Sequence, residues 1–564
     1  MLRPRHYRDR VMKSELINTT WLTEPNLIGG LDHLGVQAPC INIYSQLMPG
    51  ITNVTDRARY YSFYPWLLTA MDEDDMLKGK DYINYFRNAD CLLTLVCLRH
   101  GDVCNDGLTI HSAGTVGSLA LSHAIKSLSK KNSIKLSEYS TKASVSSRYF
   151  KNSMGGLGQY YKGVLRELNI MGGNSKDDLS VIKQTGGLLA KKLAAHLPVD
   201  LFLKTVKSGS VNSDTLDKLS PFCFCQLHKN TAEREVLTSM FLGEGAFSGM
   251  SKTTDDDSKR RCQSLSYFLL MSKEMASHGS LLEINSFRSL IYTRSISSKR
   301  PLPIPKLLND VASGWASYQR NELYSIALQG LFYASLRDYE KSGVSADHEG
   351  ALAAWFWKKG EGSSALKKLQ KYKTFKQMSK GLIDEMPNFT DWECEDHEMD
   401  HMEKISVTTR IGASSKQQLF DVVIRSIHIL AALYGRKENR DGYGNLYFTK
   451  GYFDHYPVNL NSFFHKLDNE WADLPLQECM INMLLHWCLK SHLRVALRKL
   501  RNQSQSTFRF IPTDQGIKII DIPPAVHTSP RYRQTMTILE DIGLLQENMK
   551  GLKVPTPAAR LLLV

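Results

Sequence analysis

One short segment has the residue types and spacing of a metal-dependent hydrolase. His397-Glu398-Met399-Asp400-His401 matches H-E-x-x-H. On a helix, histidines four residues apart share one face and can bind zinc, and the glutamate can act as a general base on metal-bound water. The flanking residues are acidic (WECEDHEMDHMEK), as in a surface stretch that matches by chance. We keep a hydrolase or nuclease as an alternative function, and we assign no catalytic residue, metal ligand or cofactor.

Other signature motifs are missing from the sequence. It has no Walker A loop, no complete G-x-G-x-x-G and no G-x-S-x-G. The ten cysteines include no CxxC pair. Cys223 and Cys225 form a CxC that we interpret as a strand or turn. Scattered cysteines without a regular framework are typical of free thiols in a reducing compartment, so we expect a cytoplasmic protein.

The charge balance points to an anionic partner. Among 564 residues, 71 are basic and 57 acidic, which gives a net charge of +14. Twelve basic and five acidic residues lie in 490–564, so half of the excess falls in that stretch. Such an excess favours a polyanionic partner, either nucleic acid or an anionic membrane surface, and does not choose between them.

A basic amphipathic helix is predicted to end near residue 501. Its cations recur at steps of four, four and three, on one face, with a further lysine beside them: Lys490, Arg494, Arg498, Arg501 and Lys499. The predicted apolar stripe is Leu489, Leu493, Ala496, Leu497 and Leu500. Neighbouring cations repel one another unless an anion lies alongside, and nucleic-acid phosphates would serve.

Two further charged segments leave alternatives open. Arg57 and Arg59 precede a run of aromatic residues, which is compatible with a core helix or a base-stacking surface. The lysine-rich stretch 357–380 is followed by the acidic segment 381–404. These two stretches can pair internally or remain solvated.

The elements that must position these residues are mostly helices. Apolar residues recur at three- and four-residue steps through most of the chain, and alternation is confined to its last 60 residues. We therefore predict a mainly α, multi-domain helical body with a small α+β C-terminal module. Polar, turn-rich stretches suggest domains at 1–206, 216–300, 301–435 and 440–564. No apolar run reaches the length of a membrane span.

The C-terminal module has a definite predicted order. Two short strands, 507–510 and 517–520, precede a helix that begins with Ser529 as N-cap and Pro530 and ends at Gly543. A short strand at 552–554 and a final helix at 557–563 follow.

The stretch ILEDIGLLQENMKGLKVPTPAARLLL resembles the end of a winged-helix domain. The resemblance implies that four residues of the recognition helix face the DNA major groove and that two lysines of the wing meet phosphate. These residues are Arg531, Arg533, Gln534, Thr537, Lys550 and Lys553. The stretches PGITNVTDRARYYSFYPW and SYQRNELYSIALQGLFYASL look similar to uncharacterised bacterial proteins of defence islands and mobile elements.

These observations predict a cytoplasmic accessory subunit that binds duplex DNA in a bacterial genome-defence or DNA-processing complex. Its protein partner would be an ATPase, helicase or nuclease, and no membrane is involved. The alternatives are the metal-dependent hydrolase or nuclease and a protein–protein scaffold that does not bind DNA.

Overall fold

The computed structural model describes residues 32–74, 81–104, 111–129, 132–173, 175, 178–249, 255–440, 458–503 and 506–563. These residues form two compact units, and the chain passes between them inside helix Gln37–Leu47, inside helix Asn309–Ser342 and after Thr528. The first unit contains 32–40, 320–440, 458–503 and 506–528, and the second contains the rest. The prediction of a mainly α fold is confirmed. The four predicted domain ranges stay predictions.

The first unit is a helical assembly with one β-hairpin. Its core helix is Lys416–Gly435, which packs against Phe375–Glu385 and Glu398–Ile411. The remaining helices that lie wholly within this unit are Glu349–Lys358, Glu361–Lys368, Lys437–Arg440, Leu460–Lys466, Leu467–Trp471, Leu476–Met483, Leu484–Leu489 and Lys490–Gln503. Strands Phe510–Thr513 and Gly516–Ile519 pair antiparallel.

Helix Lys416–Gly435 is long and apolar enough to cross a membrane by length and composition. However, 67% of its most apolar stretch is buried inside the protein. Its side chains therefore pack as those of a core helix do.

The second unit surrounds the aromatic helix Tyr60–Glu73, which packs on Gly186–Ala194. Its other longer helices are Tyr82–Cys104, Ser118–Lys126, Val199–Ser208, Thr231–Leu242, Asp255–Ser277, Ile284–Thr293 and Tyr532–Asp541. Shorter helical segments are Ser137–Ser140, Leu157–Tyr161, Lys162–Glu167, Ser213–Lys218, Ser220–Phe222, Phe224–Lys229, Gly245–Phe247, Lys306–Leu308 and Pro557–Leu563. Three antiparallel pairs complete it: Ile134–Lys135 with Ser210–Val211, Ser295–Ser297 with Arg300–Pro301, and Leu545–Glu547 with Lys553–Pro555.

The aromatic run after Arg57 and Arg59 is core. Both arginines are 1% exposed, and each forms a bidentate pair with a buried carboxylate. Arg57 pairs with Asp541, and Arg59 pairs with Glu233. The base-stacking alternative for these two arginines is therefore wrong, because their donors are already used inside the second unit.

Three stretches differ from what their local sequence predicts. The polar stretch 295–305, whose composition predicts a linker, contains a hairpin, with Ser295 buried. Residues 363–380, whose apolar periodicity predicts one helix, belong to two helices, because Thr374 caps a new one through its side-chain oxygen. The last long helix was expected to have Ser529 as its N-cap. Its N-cap is Arg531, which has a φ of 59°.

Candidate functional site: a cationic helix and a Cys2His2 cluster

Helix Lys490–Gln503, which we call the cationic helix, presents four cations to solvent. Lys490, Arg494, Arg498 and Arg501 are all exposed, and none forms an ion pair with any residue that the structure describes. Their positions fall within about 80° of one another around the helix axis, so they form a single face. We call these four residues the cationic face.

The surroundings of the cationic face are also positive. Burial and the cations Lys490 and Lys466 lower the pKa of His486, one turn before the face. Leu497 lies within the face and is 57% exposed. The prediction that Leu497 belongs to the buried stripe is therefore wrong.

The buried side of the cationic helix is held by residues from the start of the first unit. Ser491 donates to the Leu34 carbonyl over 2.7 Å, and the neutral His492 ring donates through Nδ1 to the His33 carbonyl over 3.1 Å. Val495 and Ala496 complete the buried side. These contacts rotate the helix relative to the stripe expected from leucine spacing alone.

The fifth predicted cation of this helix, Lys499, has a different environment. It is half-buried, and its ammonium donates to the Asp32 carbonyl over 3.2 Å. Burial lowers its pKa, with Asp32 acting in the opposite direction. Lys499 thus helps to anchor the helix, whereas the cationic face is turned away from the protein.

The helix that resembles a recognition helix, Tyr532–Asp541, is packed into the second unit. Arg531 is 8% exposed and donates to the Met48 carbonyl and to Ser45 Oγ. Gln534 is 2% exposed and donates to the Asn53 carbonyl and to Asp56. The expectation that Arg531 and Gln534 face outward is wrong, because both side chains are buried and donate hydrogen bonds to groups within the second unit.

The remaining residues of the winged-helix resemblance differ in exposure. Arg533 is exposed but pairs with Asp56 over 2.8 Å, and Thr537 is half-buried. Hairpin Leu545–Glu547/Lys553–Pro555 is the element that the resemblance interprets as a wing, and Lys550 is exposed in its turn. Lys553 is half-buried and pairs with Glu540. The wing lysines are thus not equivalent, since only Lys550 projects into solvent without an ion pair among the described residues.

The H-E-x-x-H segment is built around capping and ion pairing. His397 is the N-cap of helix Glu398–Ile411, and its Nδ1 accepts from the Met399 amide over 3.1 Å. Its Nε2 lies 3.2 Å from the Phe389 carbonyl. Glu398 is fully buried against Arg436, with a 2.8 Å ion pair. The cap uses Nδ1 of His397 and the ion pair uses the carboxylate of Glu398, which are groups that a hydrolase would direct at a metal or its bound water.

His401 faces a different group of residues. Its ring lies 2.9 Å from the Arg425 guanidinium, which is also 3.7 Å from Asp400 and 3.8 Å from Asp396. Burial, together with His428 and Arg425, lowers the pKa of His401 to about 2. The arginine supplies positive charge where a metal would sit. Among described residues, His397, Glu398 and His401 do not form a ligand group within 4.8 Å.

Four side chains of the second unit do converge in the manner of a metal site. His100, His111, Cys223 and Cys225, the Cys2His2 cluster, place four ligand atoms within 4.8 Å of one another. The two Nδ1 atoms are 3.1 Å apart, and the two Sγ atoms are 3.6 Å apart. His111 Nδ1 to Cys223 Sγ and His100 Nδ1 to Cys225 Sγ are both 3.4 Å. The CxC spacing alone predicts a strand or turn and does not reveal this cluster.

The cluster is assembled from three separate stretches of chain. Helix Tyr82–Cys104 supplies His100 from its last turn, and His111 stands at the start of the next described stretch. Cys223 joins the short helices Ser220–Phe222 and Phe224–Lys229, and Cys225 lies in the second. His111 and Cys223 are buried, and His100 and Cys225 are half-buried. No local spacing motif exists for such an arrangement.

The two core arginines fix the cluster's backbone. Arg59 donates to the carbonyls of Pro221 and Cys223, each over 2.7 Å. Arg57 donates to the Ala113 carbonyl over 3.3 Å, and its guanidinium lies 4.6 Å from the Phe224 ring centroid. Each arginine is held in turn by its carboxylate partner. The loop with His111 and the turn with both cysteines are thereby positioned by buried charge pairs.

No family model, curated protein or solved structure matches this chain. We therefore infer the function from the cationic face and the Cys2His2 cluster. The cationic face follows from residue spacing, and its exposed position agrees with the sequence analysis. The cluster was missed. Two histidines and a CxC in one chain were the available signal, but His111 and Cys223 are 112 positions apart and His100 and Cys225 are 125 positions apart, which hides their proximity.

Proposed function

We propose that the protein is a nucleic-acid-binding accessory subunit that binds duplex DNA through the cationic face of helix Lys490–Gln503. The observation that supports this most is the row of exposed cations without a carboxylate partner among the described residues. Like charges at such spacings destabilise a helix by about 0.2–0.5 kcal/mol per pair. Phosphates alongside would turn this repulsion into attraction.

The dimensions of the face suit a nucleic-acid backbone. From Lys490 to Arg501 a helix rises roughly 16 Å, at about 1.5 Å per residue. This length corresponds to about five base pairs along a duplex, at roughly 3.4 Å per pair. Contacts of this kind fix position on the backbone and read no sequence.

The expected partner is a protein with the enzymatic activity, such as an ATPase, helicase or nuclease. A cytoplasmic bacterial genome-defence or DNA-processing complex provides the setting in which DNA binding of this kind would be used. Lys550, at the tip of the wing-like hairpin, is a second candidate phosphate contact. Arg531 and Gln534 are left out of the proposed DNA-binding surface because they are buried.

The test is a binding titration of the full chain against labelled duplex and single-stranded DNA. In Arg494→Glu/Arg498→Glu, two phosphate contacts are lost. Each contact contributes roughly eightfold at about 0.1 M salt, so for two contacts we expect duplex affinity to fall about 60-fold or more. The loss should be alike for all duplex sequences, because backbone contacts carry no base information.

The matched control is Lys204→Glu/Lys416→Glu, which has the same charge change on two exposed helical lysines. Its duplex affinity should fall far less than that of Arg494→Glu/Arg498→Glu, because the control makes the same change in net charge without removing a cation of the proposed binding face. Equal losses in both variants would show that only net charge matters and would overturn the assignment to the cationic face.

Leu497 favours one competing function, a protein scaffold. An apolar side chain that is 57% exposed among cations suits an acidic protein segment with an apolar contact. Leu497→Ser separates the two functions. Unchanged duplex binding supports DNA as the ligand. Absence of duplex binding by the wild-type chain, together with binding of an acidic protein partner that Leu497→Ser abolishes, would replace the DNA proposal with the scaffold.

A further inference from the structure

The arrangement of the Cys2His2 cluster can be compared with tetrahedral zinc. Zinc lies about 2.3 Å from thiolate sulfur and about 2.0–2.1 Å from imidazole nitrogen. A regular tetrahedron with these bond lengths has edges of about 3.8 Å between sulfurs, 3.5 Å between nitrogen and sulfur, and 3.4 Å between nitrogens. Four of the six edges are 3.6, 3.4, 3.4 and 3.1 Å, and the other two nitrogen–sulfur separations, His100 to Cys223 and His111 to Cys225, are within 4.8 Å. Each of the first four edges is shorter than its ideal value by no more than about 0.3 Å.

The chemistry of the four donors narrows the choice of metal. Two thiolates and two imidazoles suit zinc, whereas calcium and magnesium prefer oxygen ligands. With zinc bound, two thiolates balance the double positive charge. The site is then neutral overall, which suits a location where two of the ligands are buried.

The surroundings hold the ligands in place before any metal binds. Arg59 fixes the Cys223 carbonyl, and Gln226 Nε2 donates to Cys225 Sγ over 3.1 Å. A hydrogen bond to a thiolate sulfur is a usual feature of the shell around a metal site. Arg57 lies against the ring of Phe224, the residue that separates the two cysteines in the sequence. Arg57 also donates to the carbonyl of Ala113, in the loop that contains His111.

We propose that His100, His111, Cys223 and Cys225 bind one zinc ion in a structural site. Four protein ligands complete a tetrahedron and leave no position for water or substrate, which distinguishes structural from catalytic zinc. The ion would tie the end of helix Tyr82–Cys104 to the turns at 220–229. Both thiols lose their protons to solution on binding, and the imidazoles stay neutral.

The first experiment measures zinc in the full chain by mass spectrometry of the elements after extensive dialysis. We expect stoichiometric zinc in the wild type and a loss of at least about tenfold in zinc affinity in Cys223→Ser/Cys225→Ser. The matched control is His123→Ala/Cys394→Ser, which removes an exposed histidine and an exposed cysteine outside the cluster and should retain the metal. Wild-type protein that remains metal-free after zinc addition would overturn the proposal.

A second experiment does not depend on whether the cysteine variant folds. Cobalt(II) is exchanged into the wild-type chain and the visible spectrum is recorded. Tetrahedral coordination by two sulfurs and two nitrogens predicts intense d–d bands together with a thiolate-to-cobalt charge-transfer band. Weak d–d absorption without a charge-transfer band would mean oxygen ligands or adventitious binding, and would overturn the assignment of the four ligands.

Discussion

The buried pair between Arg57 and Asp541 gives the sharpest prediction about stability. The side chains are 1% and 2% exposed, and the pair is bidentate, with distances of 3.0 and 2.8 Å. Asp541 also accepts from the Ala58 amide over 3.0 Å. In Arg57→Ala, the carboxylate stays buried without its cation. Removing one partner of such a pair destabilises a folded protein by about 3–5 kcal/mol, so we expect Arg57→Ala to lower the free energy of unfolding by that amount.

The second unit contains a matched surface pair. Arg533 pairs with Asp56 over 2.8 Å, but the arginine side chain is 72% exposed. Exposed ion pairs contribute about 0–1 kcal/mol, so Arg533→Ala should have almost no effect. Arg57→Ala and Arg533→Ala thus remove the same residue type from ion pairs with the same shortest distance, but the first pair is buried and the arginine of the second is exposed.

The assay is calorimetric unfolding of the full chain, followed through the first transition. For a unit of roughly 300 residues, 1 kcal/mol shifts Tm by roughly 1.5 °C, so Arg57→Ala should lower it by about 5–8 °C. The double variant Arg57→Met/Asp541→Leu, which removes both charges, should recover much of the loss. Equal, small shifts for Arg57→Ala and Arg533→Ala would refute the reasoning that burial determines the cost.

Two further predictions concern the buried side of the cationic helix. Burial lowers the pKa of His492 from 6.5 to about 4, so at falling pH the unfolded chain takes up this proton before the folded chain does. The free energy of unfolding should therefore fall by about 3 kcal/mol as pH falls from 6.5 to 4. Urea titrations at stepped pH should show that His492→Gln loses less stability over this range. Val495 is 7% exposed and Leu497 is 57% exposed. Val495→Ala should therefore lower the free energy of unfolding in urea by about 1–2 kcal/mol, and Leu497→Ala by less than about 0.5 kcal/mol. The reverse order would contradict the packing of this helix.

Much of the helical architecture was predictable from local sequence. Long periodic segments such as the one around Lys416–Gly435 form helices because their apolar residues share one face. The hairpin Phe510–Thr513/Gly516–Ile519 follows from alternation around a turn, although its first strand begins later than predicted. These features depend on neighbours within a few residues, which a sequence displays directly.

The buried arginines and the Cys2His2 cluster depend on distant partners. Arg57 is core because Asp541 lies beside it, and the two are 484 positions apart in the chain. Cys225 and His100 are 125 positions apart. The buried stripe of the cationic helix was mispredicted for the same reason, since Leu34 packs against it from 457 positions away. Sequence spacing alone does not reveal such pairings.

The most direct test of the proposed function is the salt dependence of duplex binding by the full chain. For each phosphate contact, the slope of log affinity against log salt changes by about 0.9. Neutralising Lys490, Arg494, Arg498 and Arg501 to Gln should therefore flatten the slope by about 3–4, whereas Lys204→Gln/Lys416→Gln should leave it unchanged. A quadruple variant with the wild-type slope would contradict DNA binding by the cationic face.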